Sequence, residues 1–481
     1  MTRVVFRVDA SPQAGLGHLV RCLSLAHAFR SRGASCRFVC LDDEALALVE
    51  REGFELHRLT SGAPATDVFS RDGADVLVTD SYAYAEPDKQ AWATFAAMHL
   101  DLDDDARGGR RVADVVLNGN VYGDGARYEG PRVSLLGSVY APLRPVFAAA
   151  KAASERRGVL VTMGGVDPPG ATIDMVEALA HVPTADPVTV VVGPRFLHRE
   201  RLDRALAAFP RKVQVLTDPD AERLARAFSG ALLAVCAGGT TVLELAACAT
   251  PALIWVLADN QVAVAKAFAA RGAAVDLGRF ERFDPQRFAK EVWAVLGDAA
   301  RRRRMSEATR GLVDGQGADR VAQNVLGALT PGSVHLRAAR ADDARRVWQW
   351  RNDAQTRAQS LTTEEIPWET HAAWYDAALK DRRRRLLIVE GPQGACGILR
   401  IDMGTDGSAE ANVNLAPEAR GSGIGTRVLS KGTAFAHVGL GVGRVLARIR
   451  SSNAASLRAF EKCGYRQVEG GEVTLWAHDA T

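Results

Sequence analysis

A chain of 481 residues is too long for one hydrophobic core to keep growing, so two or three domains are expected. Its 60 lysines and arginines nearly balance 57 acidic residues, and a formal charge of +3 excludes the electrostatic footprint of a nucleic-acid binder. Seven cysteines (22, 36, 40, 236, 248, 396 and 463) form no C-x-x-C pair and lie mostly in apolar runs, which points to reduced core thiols. With neither a signal-peptide pattern nor an apolar run of spanning length, a cytoplasmic protein without membrane insertion is expected. The arginine runs 301–304 and 382–385 read as solvated helix faces.

Taken in chain order, the apolar run of Val4, Val5, Phe6 and Val8 predicts a strand leading into Gly15-Leu16-Gly17-His18. A helix bearing Leu19, Leu23, Leu25, Ala26 and Phe29 follows, and its positive end would face any ligand in the crevice. His18 at that helix start can take a proton from water at neutral pH, since imidazole titrates near about 6.5. A structural cap or surface residue is an equally ordinary use of a histidine there. Further strands are predicted at 36–40, 76–79, 98–102 and 115–117, the rhythm of a parallel sheet. Asp9, Asp80 and Tyr82 stand near strand ends, where sugar contacts and plain caps are both reasonable. Asp103-Asp104-Asp105 reads as a solvated acidic loop.

After a connecting segment at 140–147, a second cycle of strands is predicted at 159–163, 188–192, 213–216, 232–236 and 252–256, closing with a helix near Leu329. Gly164-Gly165-Val166-Asp167, Gly193 and Ala237-Gly238-Gly239-Thr240-Thr241 all fall at strand ends. In two doubly wound halves facing a cleft, ligands bind outside those carboxyl ends. Gly238 and Gly239 expose backbone N–H groups to a diphosphate, Thr240 and Thr241 add hydroxyls, and Glu244 one turn on could accept both hydroxyls of a ribose. Thr241-x-x-Glu244 is equally a capping box that needs no ligand. Asn260 and Gln261 could bind phosphate or acetamido groups, while Asp259 or Asn260 could simply cap the next helix.

These residues together resemble a family. Arg7-Val-Asp-Ala-Ser11, Gly15 to Cys22, Tyr140-Ala-Pro-Leu-Arg144, Gly164 to Asp167, Ala237 to Thr241 with Glu244, and Asn260-Gln261 resemble the UDP-sugar hydrolases of pseudaminic acid biosynthesis over roughly 1–330. That resemblance implies a GT-B-like pair of Rossmann-type domains, 1–150 and 151–330, similar to the UDP-N-acetylglucosamine transferase of peptidoglycan synthesis but delivering the sugar to water. It implies His18 as the catalytic histidine, UDP or sugar contacts from Gly17, Arg21, Gly238, Gly239, Thr240, Thr241, Glu244, Asn260 and Gln261, and no metal.

Beyond the linker Thr330-Pro331-Gly332-Ser333 the pattern changes to a separate mixed α/β domain, 334–481, with strands predicted from His335 and at 385–390, 394–402 and 410–415. Arg420-Gly421-Ser422-Gly423-Ile424-Gly425 forms a nest of N–H groups before a helix. Together with Asn453 to Tyr465 it resembles the GNAT acetyltransferases, which implies acetyl-CoA as co-substrate. Arg420, Gly421, Gly423, Ile424 and Gly425 would then hold the pyrophosphate, and Asn453 the pantetheine arm. Where many members have a tyrosine acid, this chain has Phe460; Tyr465 could substitute. The segments 348–353, 366–371 and 374–375 resemble the sugar-amine branch, with His371 and Glu410 as possible proton acceptors or, equally, a packed histidine and an exposed strand end.

The joint implication is a bifunctional enzyme that acetylates a UDP-linked 2,4,6-trideoxy amino sugar and then hydrolyses it. The alternatives are a GT-B glycosyltransferase and a C-terminal domain that acetylates another amine or only binds coenzyme A.

Overall fold

The computed structural model describes residues 1–8, 16–41, 43–59, 65–104, 108–150, 155–330, 333–391 and 393–480. Asp9, Ser11, Gly15, Asp105 and the centre of the 330–333 linker lie outside the described residues. No helix among those described is long and apolar enough to cross a membrane.

The first half is a parallel seven-stranded sheet in the order Glu55–Arg58, Ser35–Cys40, Arg3–Val8, Ala74–Asp80, Ala96–Leu102, Val115–Asn118, Val133–Leu136. Alternation sorts its faces. Val4, Phe6 and Val8 pack with Leu19, Leu25 and Phe29 of the helix Gly17–Ser31, and Val5 faces the opposite layer with Trp92 and Phe95. The strand order reverses between Arg3–Val8 and Ala74–Asp80, which opens a crevice at their carboxyl ends.

The second half repeats the plan with six parallel strands, Val213–Thr217, Val188–Val192, Val159–Thr162, Leu233–Ala237, Ala252–Val256 and Ala274–Arg279. Its reversal lies between Val159–Thr162 and Leu233–Ala237, the strands that precede the Gly164 and Gly238 turns. The helix Gly317–Ala328 crosses back, placing Ala318, Val321, Ala322 and Val325 in the core of the first half.

The strands missing from the sequence reading are mostly edges or have broken apolar runs. Glu55–Arg58 is half exposed, and Ala274–Arg279 is interrupted by Asp276 and Gly278. Of the arginine runs, 301–304 lies in the helix Ala299–Leu312, whereas 382–385 is a turn entering the strand Arg384–Gly391, a correction to the helix expected there.

The third unit is a seven-stranded sheet, antiparallel except where Ser408–Leu415 meets Arg444–Arg450. It is seated on the helical layer of the first half. Phe95 and Phe435 meet edge to face at 5.0 Å. Lys431 donates to the carbonyls of Ala93 and Ala96 at 2.9 and 2.6 Å. Gly73 permits the close approach, since a Cβ there would lie 2.1 Å from His335 Cδ2.

Candidate active sites

In the first half, the topology brings the start of the helix Gly17–Ser31 and the last residue of the strand Ala74–Asp80 to one crevice. His18, 5% exposed, places Nδ1 2.6 Å from Asp80 Oδ1. Arg21 donates Nε and Nη2 to the same carboxylate, each at 2.5 Å, and Nη1 to Asp104 at 2.5 Å. Burial pushes the Asp80 carboxyl up, but Arg21 and then His18 outweigh it and hold it at about 2. Arg21 Nη2 also lies 2.9 Å from Nδ1, but it is already bonded to Asp80 at 2.5 Å; the shorter contact of Nδ1, to an ionised carboxylate that only accepts, assigns the proton to Nδ1. That tautomer leaves Nε2 with its lone pair, the form a general base needs. The ring of Tyr82 packs edge-on against His18 at 4.7 Å, and its hydroxyl donates to Asp104 at 2.8 Å.

Sequence reasoning took Asp80 as a sugar contact or cap and Arg21 as a ligand contact. The structure places both in the bonded network that orients His18, with the Arg21 guanidinium engaged by two carboxylates. Asp103 and Asp104 are likewise engaged rather than solvated: Asp103 accepts from Tyr128 at 2.5 Å, and burial of Asp104 is outweighed by Arg21, which lowers its proton affinity. Asp104 was read as part of a solvated loop and Asn120 was not named; the two, bonded at 3.3 Å, lie just beyond the strand ends at Leu102 and Asn118.

The cleft between the halves has a volume of about 480 Å³ and is lined by His18, Arg21 and Tyr82 on one side. Gly164, Gly165, Gly193, Gly238 to Thr241, Glu244, Asn260 and Gln261 line the other. The helix Thr240–Ala247 starts at Gly239 with no side chain capping it. Its start faces that of the first helix closely enough that a Cβ on Gly17 would lie 3.5 Å from Thr240 Oγ1. Two positive helix ends therefore converge on one space. Gly238 is needed for packing, since a Cβ there would come within 3.0 Å of Gln261 Cβ.

The capping box does not form. Glu244, 6% exposed, instead accepts from Arg144 at 2.8 Å, and burial raises its proton affinity against the pull of Arg144. Asp259 pairs with Arg279 rather than capping a helix, and Gln261 Oε1 accepts from the N–H of Leu257 at 2.9 Å. Asn260 reaches the Tyr82 hydroxyl across the cleft. Arg144, on the connecting segment, is named by the sequence only within the Tyr140–Arg144 motif, with no role assigned.

In the third unit, Ser408–Leu415 pairs with Arg444–Arg450 only at Ser408, Ala409 and Glu410. Beyond that the strands part, because Arg444–Arg450 stays bound to Val473–Asp479 on its other side. The wedge opens towards Leu415. There the chain enters a loop in which Gly421 and Gly423 adopt φ of +76° and +80°, before the helix Ile424–Ala434. Left-handed residues beside an uncapped helix start present successive N–H groups to one point.

Residues 333–466 match the family model of the Acetyltransferase (GNAT) domain. The C-terminal unit is a GNAT domain. The preceding part has the GT-B fold of the MurG structure from Acinetobacter baumannii, at 17% identity and a TM-score of 0.52, covering 68% of this chain and all of that one. The spore coat polysaccharide biosynthesis protein SpsG of Bacillus subtilis is 26% identical over 332 residues, 65% of this chain and 94% of its own. UDP-2,4-diacetamido-2,4,6-trideoxy-beta-L-altropyranose hydrolase of Campylobacter jejuni is 27% identical over 131 residues, 27% of this chain and 45% of its own.

Within the GNAT domain the structure sorts the sequence candidates. Gly421, Gly423, Ile424 and Gly425 form the loop and helix start at the wedge. The Arg420 side chain is held elsewhere, donating to Asp353 at 2.7 Å, Gln355 at 2.9 Å and Thr356 at 2.8 Å. Asn453 caps the helix Ala454–Lys462, its Oδ1 accepting from the N–H of Ser456 at 3.1 Å. His371 is 2% exposed, with Nε2 on the carbonyl of Ala344 at 3.1 Å, and burial lowers its proton affinity. That is a packing position. Glu410 sits at the closed end of the wedge, paired with Arg448. Tyr465 is buried against Phe460, its hydroxyl 2.7 Å from Thr433 Oγ1 and its pKa pushed up by burial to about 12. Among the described residues no group of three or more His, Cys, Asp or Glu could hold a metal ion.

Proposed function

We propose that the chain catalyses two consecutive reactions on one nucleotide sugar. The GNAT domain transfers an acetyl group from acetyl-CoA to the 4-amino group of UDP-4-amino-4,6-dideoxy-N-acetyl-β-L-altrosamine. The GT-B-like part then hydrolyses UDP-2,4-diacetamido-2,4,6-trideoxy-β-L-altropyranose to the free sugar and UDP. The observation that carries the second step is the His18–Asp80 pair opposite an uncapped helix start. The likeness to the Campylobacter jejuni hydrolase supports the choice of sugar.

In this reading His18 Nε2 removes a proton from water as its oxygen bonds to the anomeric carbon, and the bond from that carbon to the diphosphate oxygen breaks. Asp80 stabilises the imidazolium that forms. The N–H groups and hydroxyls at Thr240 and Thr241 stabilise the charge gained by the departing UDP. Glu244 accepts the ribose hydroxyls, while Asn260 and Gln261 contact the diphosphate or an acetamido group. In the other domain the 421–425 loop holds the coenzyme A pyrophosphate and Asn453 lies along the pantetheine arm.

Proton NMR of the full chain with the UDP-amino sugar, with and without acetyl-CoA, tests this. The expected result is a new acetamide signal followed by UDP and a reducing sugar. Acetylation without UDP release would turn the GT-B-like part into a transferase awaiting an acceptor; no reaction at all would reject the sugar.

A further inference from the structure

The GNAT domain holds a group of cations that the transfer step described above does not use. Arg351 lies in the last turn of the helix Ala344–Asn352, Arg357 on Ala354–Gln359, and Arg400 on the strand Gly394–Met403. Arg351 Nη1, Arg357 Nε and Gln359 Oε1 are buried without a hydrogen-bond partner. Burial, and then the fields of Arg357 and Arg400, lower the proton affinity of Arg351, so the three guanidinium groups feel one another.

Carboxylates nearby neutralise only Arg400, and that in part. Asp353 is taken by Arg420, and Asp402, the partner of Arg400, is shared with Arg384. Among the described residues neither Arg351 nor Arg357 has an ion-pair partner, and the side-chain bond of Arg351 is to the carbonyl of Thr362 at 2.9 Å. Grouped like charges with buried, unsatisfied donors cost stability unless an anion completes them.

The location gives the group a use. Arg400 lies directly across from Asn412, and two residues on, Asn414 is bonded at 3.2 Å to Thr356, the neighbour of Arg357. The cations therefore flank the stretch of Ser408–Leu415 that has parted from Arg444–Arg450, beside the wedge where acetyl transfer must occur. The coenzyme A pyrophosphate already has a seat at the 421–425 helix start. Guanidinium forks match pairs of phosphate oxygens.

We propose that Arg351, Arg357 and Arg400 bind the diphosphate of the nucleotide-linked acceptor, so that the GNAT domain recognises its substrate by a phosphate handle. The assignment rests on the nucleotide-sugar reading above. It fixes the order of the two reactions, because a sugar already freed from UDP has lost the handle.

Steady-state kinetics of the full chain test it with Arg351→Gln, Arg357→Gln and the double variant. The expected result is a KM for the UDP-amino sugar raised about tenfold or more per substitution, from the loss of a charge-assisted bond. KM for acetyl-CoA and UDP release from the acetylated substrate should be unchanged, the latter also showing that the variants fold. A rise confined to the KM for acetyl-CoA would reassign the cations to coenzyme A phosphates and overturn the proposal. So would unchanged kinetics. Calorimetric titration with UDP alone separates this from failure of the sugar assignment: two sites are expected in the wild type and one in the double variant. A single site in both overturns the handle whatever the sugar, whereas two sites without acetylation would reject the sugar and keep the handle.

Discussion

The two walls of the interdomain cleft are built differently. On the first half, His18, Arg21, Asp80, Asp104 and Tyr82 form one bonded network whose charges are spent on each other, leaving the outer nitrogen of His18 for chemistry. On the second half the wall is a glycine turn, two threonines and an uncapped helix start, with Glu244 and Asn260 behind it. Pre-oriented charge suits a proton transfer, and spare neutral donors suit the grip on an anion that must later leave. On the function proposed above, loss of the first wall should act on kcat, and loss of Glu244 from the second chiefly on KM.

Substituting the first wall should give the largest effects. His18→Ala is expected to lower kcat for UDP release by about 10³-fold with KM little changed, and to spare acetylation, both read by NMR. Full retention of UDP release would remove His18 from the mechanism. Asp80→Asn should cost about 100-fold in kcat, since the amide no longer enforces the Nδ1–H tautomer. Because it leaves Arg21 half-paired, it should also destabilise the first half by about 3 kcal/mol, seen as a lower denaturation midpoint. On the second wall, Glu244→Gln should raise KM about tenfold and leave kcat within a factor of a few; a pure kcat loss would break the division of labour.

A smaller, global effect concerns pH. Burial of His99, in the first half, lowers its pKa to about 4, so the unfolded chain binds the extra proton between about 6.5 and 4. Stability contributed above pH 6.5 is therefore lost as the pH falls through that window, by about 3 kcal/mol. A melting temperature independent of pH between 7 and 4 would count against a neutral buried His99.

Much of this was legible because glycine turns and helix starts are local. The Gly17-His18 junction, Gly238 to Thr241 and Gly421 to Gly425 each stand after a recognisable strand, where backbone conformation alone sets the geometry. Asp80 acquires its role only because two strands seventy residues apart become neighbours at the reversal of strand order, which periodicity does not record. The role of Arg144, named only within a motif, was hidden for the same reason, since its partner Glu244 is a hundred residues away. The arginine group of the GNAT domain was invisible until three elements converged. For His371 and Tyr465 the chemical type of the residue suggested proton transfer, but neighbouring rings and a backbone or hydroxyl partner had already claimed them.

The Lys431 amine ends in the carbonyls of Ala93 and Ala96, beneath the Phe95–Phe435 contact. Burial lowers its proton affinity, yet its two acceptors belong to another domain. Pulling the domains apart would leave a desolvated cation on one face and two bare carbonyls with an aromatic ring on the other, so cohesion does not reside in the short linker. A chain nicked between 330 and 334 would still travel as a single particle, and its two parts would inherit each other's thermal tolerance.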